Sequence, residues 1–96
     1  MKNYMGRRTM KDMFVEYVSK VKALEVTQNR IAELEKNIDA LDKDIEELDG
    51  AGLDRTVEIL CKTRNSLNLE RLELEIHICK LRLWIAEFEL ERQLAR

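Results

Sequence analysis

Three groups of residues in this chain carry side chains that could do chemistry, and their spacing decides what that chemistry could be. His77 and Cys79 are the only soft metal ligands close together in sequence. Zinc needs three or four ligands, and nothing nearby supplies the others. Asp42, Glu46 and Asp49 are spaced so that a helix would bring their carboxylates to one face. Such carboxylates work as acids, bases or cation ligands where a concave site shifts a pKa, and a charged helix end offers no concavity. A phosphate-cradling loop, a Ser/His/Asp set and a reactive Cys/His pair are all missing. The sequence therefore predicts no catalytic, metal or cofactor site and a protein that is not an enzyme.

The third group is electrostatic. Asp39, Asp42, Asp44, Glu46, Glu47, Asp49 and Asp54 crowd into one segment, while Lys2, Arg7, Arg8 and Lys11 crowd at the N-terminus. Residues 1–30 carry seven Lys/Arg against three Asp/Glu, hence +4. Residues 31–54 carry two against nine, hence −7, and residues 55–96 carry eight against seven, hence +1. The net charge of −2 speaks against bulk nucleic-acid binding. A clustered acidic end could instead imitate a phosphate backbone and fill a basic nucleic-acid groove of another protein, as small phage-encoded inhibitors do. The basic arm has only a non-specific attraction for phosphate, with no helix-turn-helix, zinc finger or aromatic stacking platform beside it. A DNA-associated regulator working through that arm is the third reading.

What must position these groups is helix. The chain is 45% hydrophobic and 38% charged with no proline, and Leu, Glu, Lys and Arg dominate, which is the composition of long helices or a coiled coil. Ninety-six residues make one domain with a thin core, so association is a natural way to bury more. Thr9 followed by Asp12 predicts an N-terminal cap, with a basic arm at 1–9 ahead of a hairpin at 10–96. Helix 1 is expected over about 10–49, with a seam through Met10, Met13, Tyr17, Leu24, Ile31, Leu34, Ile38, Leu41, Ile45 and Leu48. Phe14, Val18 and Val21 widen its first half. Residues 50–54 are the only strong breaker, with Gly50 in the left-handed position and Asp54 as N-cap of a helix over about 55–95. Arg71 to Ile78 also alternates like a strand, but no turn residue interrupts Leu67 to Leu94 and its residues favour helix.

Helix 2 is apolar on two sides. One stripe runs Leu67, Leu74, Ile78, Leu81, Ile85, Phe88; the other runs Leu69, Leu72, Ile76, Cys79, Leu83, Ala86, Leu90. A short loop makes the two helices antiparallel neighbours, which sets Ile45 against Leu60, Ile31 against Leu74 and Tyr17 against Phe88. Arg64 and Arg71 then fall in the seam, with Asp42, Asp44 and Glu35 as their acidic neighbours. The fold class is all-α: an antiparallel two-helix coiled-coil hairpin, dimerising into a four-helix bundle. A parallel dimer through Ile31–Leu48 would oppose Asp44 and Asp49, so the self-association surface is expected to be Leu69, Leu72, Ile76, Cys79, Leu83 and Leu90, with Trp84 as anchor and Phe14, Val18 and Val21 beside them.

The function expected is a homodimeric adaptor or regulator that binds an unidentified protein. No apolar run of about 18 residues is present, so no membrane span is expected. MKNYMGRRTMKDMF lacks the apolar core of a signal peptide. Cys61 and Cys79 would lie about 27 Å apart at ~1.5 Å rise per residue, too far to pair within one helix, so free thiols and a cytoplasmic location are expected.

Overall fold

The computed structural model describes residues 9–95, and among these residues it contains two helices and no strand. Helix α1 spans Met10–Asp49 and α2 spans Asp54–Leu94. They pack against each other as an antiparallel hairpin whose principal extents are 67 × 28 × 16 Å. The length is that of its helices, since 41 residues at ~1.5 Å each reach about 60 Å.

The helix ends follow local chemistry. Thr9 is extended (φ −70°, ψ 158°), and its hydroxyl oxygen accepts from the Asp12 N–H at 3.0 Å, which satisfies one donor of the first turn. The reversal corrects two expectations. Gly50 is not left-handed: its φ is −81°, and the Ala51 N–H donates to the Leu48 carbonyl at 3.0 Å, tightening the end of α1. The left-handed residue is Gly52 at φ +76°, so the sharp change of direction falls two residues later. Asp54 is the first residue of α2 and not its cap. Leu53 holds the cap position without a side-chain bond, and Asp54 places its charge in the first turn, where the exposed N–H groups favour an anion.

The core is one seam. Leu34 is fully buried, and Ile38, Ile78, Leu81 and Phe88 nearly so. Each such side chain contributes ~1.5–3 kcal/mol of burial. The rest of the seam is half-buried, because two helices alone leave both broad faces of their contact open. The expected register holds at its open end, where the rings of Tyr17 and Phe88 stack 4.8 Å apart.

Polar residues in the seam are accommodated individually. The Thr27 hydroxyl is buried and donates to the Ala23 carbonyl of its own helix at 2.7 Å. Lys20 lays its ammonium over the Trp84 ring, 5.7 Å from the centroid. Arg64 meets Asp42 at 3.2 Å, and Arg71 meets Glu35 at 3.9 Å and Glu75 at 3.8 Å. Asp44 stays outside these pairs, since Asp42 and Glu35 are the carboxylates level with the two arginines.

Candidate interaction surfaces

The second stripe of α2 has no counterpart within the hairpin. Leu69, Leu72, Ile76, Leu83 and Leu90 are 59, 49, 57, 61 and 55% exposed, and Cys79 and Ala86 are exposed between them. Their spacing alternates three and four residues from Leu69 to Leu90, as in the buried seam. Seven residues that repeat so strictly make a second helix-packing seam on the outer side of α2. The hairpin consequently has a buried seam and a bare one, on nearly opposite sides of the same helix.

The remaining residues assigned to that surface do not join the stripe. Phe14, Val18 and Val21 are exposed on α1. Helical phase places Glu75, Arg82 and Glu89 between them and the stripe. The Tyr17 hydroxyl, which donates to Glu89 at 3.1 Å, marks that charged row. Trp84 turns the other way. It is half-buried, stacks on Phe88 at 5.6 Å with ring planes 6° apart, and lines a shallow groove with Met13, Glu16 and Glu87. It belongs to the edge of the core.

Sequence reasoning missed the aromatic stack at the open end. Phe14, Tyr17, Phe88 and Trp84 form a continuous run of rings, with Lys20 on the Trp84 face. The signal was present: Phe14 lies three residues before Tyr17 and Trp84 four before Phe88, so the Tyr17–Phe88 register aligns all four. The bridge from Arg30 to Glu70 at 3.0 Å was also missed. Glu89 holds the Tyr17 phenol above its ordinary pKa, because the hydrogen bond to the carboxylate exists only while the phenol keeps its proton. Glu70 likewise pushes the Arg30 guanidinium up.

The acidic segment forms the closed tip. Asp39, Asp42, Asp44, Glu46, Glu47, Asp49 and Asp54 are all exposed, and Asp42 is held by Arg64. At the other end Lys11 is exposed, whereas Lys2, Arg7 and Arg8 lie outside the described residues. His77 is exposed and borders a groove with Ser19 and Ala23, away from the stripe that carries Cys79. Among the described residues no three His, Cys, Asp or Glu side chains gather as a metal site, both cysteines are free thiols, and no helix is long and apolar enough to cross a membrane. No family model, curated protein or solved structure matches this chain.

Proposed function

We propose that this chain is a non-enzymatic helical hairpin that forms a homodimer and acts by binding another protein, as an adaptor or regulator. The observation that carries this reading is the bare heptad seam on α2. Seven apolar or small side chains at strict spacing stand in water, and an apolar patch of that regularity gains most from another helix. The seven carboxylates of the tip stand exposed on open helix surface rather than in a concave site. With the stripe occupied by a second copy, the α1 flank at Phe14, Val18 and Val21 and the acidic tip remain for the partner. Light scattering tests the first step: the chain is expected at twice its 11.4 kDa mass. A monomer at high concentration overturns the reading.

A second reading is favoured by the tip itself. Seven carboxylates stand exposed at the end of a rigid rod, a shape suited to a basic groove that otherwise holds nucleic acid. In that reading the chain is a small, phage-type inhibitor of a nucleic-acid-handling enzyme. Changing Asp42, Asp44, Glu46, Glu47 and Asp49 to their amides abolishes partner binding under this reading and leaves the dimer mass unchanged. Retained binding overturns it.

A further inference from the structure

We infer that the occupant of the bare α2 seam is a second copy of α2 running antiparallel, in the register that sets Leu72 against Leu83 of the second copy. This rests on the self-association reading above and goes beyond it by naming direction and register.

Side-chain size supports this pairing. In it Leu69 meets Ala86 of the second copy and Ile76 meets Cys79 of the second copy, so each small residue lies under a large one. A parallel pair would stack Ala86 on Ala86 and Cys79 on Cys79, leaving thin layers between thick Leu83 and Ile76 layers, and helix interfaces favour even filling.

Charge supports the same register. Glu75 then faces Arg82 of the second copy across one flank, and Glu73 reaches Lys80 of the second copy across the other. Two-fold symmetry repeats both pairs. Among the described residues Glu73, Lys80 and Arg82 make no ion pair within their own hairpin, and Glu75 reaches only Arg71, at 3.8 Å. Sliding the copies by one heptad would set Arg82 against Arg82 in one direction or Glu75 against Glu75 in the other, like-charge contacts that the first register avoids.

The long-range field points the same way. The tip segment, residues 31–54, carries −7. Antiparallel copies hold the two acidic tips at opposite ends of the pair, whereas parallel copies bring them together. Because the two seams of α2 lie on nearly opposite sides, the four helices stand in a row, with the α1 helices outermost. Both α1 flanks therefore stay open to a partner.

A spin label at an exposed site reads the direction. The full chain carries Cys61→Ala and Cys79→Val, with Ser66→Cys as the one labelled thiol; Ser66 is exposed. In the inferred register the two labels lie about 35 Å apart, from 23 residues of offset at ~1.5 Å each. A second chain labelled at Lys62→Cys gives about 45 Å by the same geometry. A single distance below about 20 Å at Ser66 means a parallel pair, and about 45 Å or about 24 Å there means a register slid one heptad in one direction or the other; any of these overturns the inference while self-association stands. A monomeric mass by light scattering overturns both together.

Discussion

Replacing Ile76 and Leu83 with glutamate puts two charges into the middle of the bare seam. Ile76 is 57% and Leu83 61% exposed in the hairpin. Covering an apolar side chain of this size contributes ~1.5–3 kcal/mol when it is buried completely. The exposed share of both residues, taken over two copies, amounts to about 4–7 kcal/mol of association free energy. At ~1.4 kcal/mol per tenfold that weakens the dimer by roughly three to five orders of magnitude, before any repulsion between the new carboxylates. The double variant should therefore sediment and scatter as a monomer at concentrations where the parent chain is a dimer. Its helix content should hold, since neither side chain touches the buried seam. Leu34→Ala is the control, because Leu34 is wholly buried between α1 and α2. If the double variant keeps the parent mass, the outer seam is not the self-association surface and the reasoning from its spacing is refuted.

Four further outcomes follow from the hairpin itself. Leu34→Ala should lower unfolding free energy by ~2–5 kcal/mol, read from a denaturant midpoint. Gly52→Ala should destabilise by about 1 kcal/mol because its φ is +76°, whereas Gly50→Ala should be neutral or stabilising by ~0.4–1 kcal/mol, its φ being −81° with no atom within 4 Å of an added Cβ. Arg71→Leu should hold or raise the thermal midpoint, since the buried Nε of Arg71 has no hydrogen-bond partner, and it should cost register specificity, seen as mixed species by light scattering. Because the folded Tyr17 phenol titrates above its ordinary value of 10.0, its contribution is present below pH 10 and is lost as the pH rises through the folded pKa. Tyr17→Phe should remove that alkaline loss, followed by thermal melts across pH 9–12.

The hairpin was legible because its signals are local and repeat. Apolar residues at three–four spacing, an unbroken run between Thr9 and Asp49, and one glycine-containing breaker suffice for two long helices joined tightly. A short loop leaves few registers, so the Tyr17–Phe88 layer and the pairing of Arg64 with Asp42 and Arg71 with Glu35 followed from counting residues back from the turn. The two-sided character of α2 was equally readable, since it depends only on helical phase. The details of the turn were not. Gly50 and Gly52 are equivalent by residue type, and the choice of which one goes left-handed depends on how the Ala51 N–H closes onto Leu48.

The amino-acid sequence alone determined the number of helices, their antiparallel pairing, the register of the buried seam and the presence of a second stripe, because periodicity and chain connectivity dictate each of these. Only the tertiary structure decided where residues at the edges of those stripes belong. Trp84 goes to Phe88 and Lys20, Phe14 stacks on Tyr17, and Asp42 rather than Asp44 meets Arg64. Those choices turn on the distance between the helices and the handedness with which two antiparallel cylinders present their flanks, neither of which a single strand of letters contains.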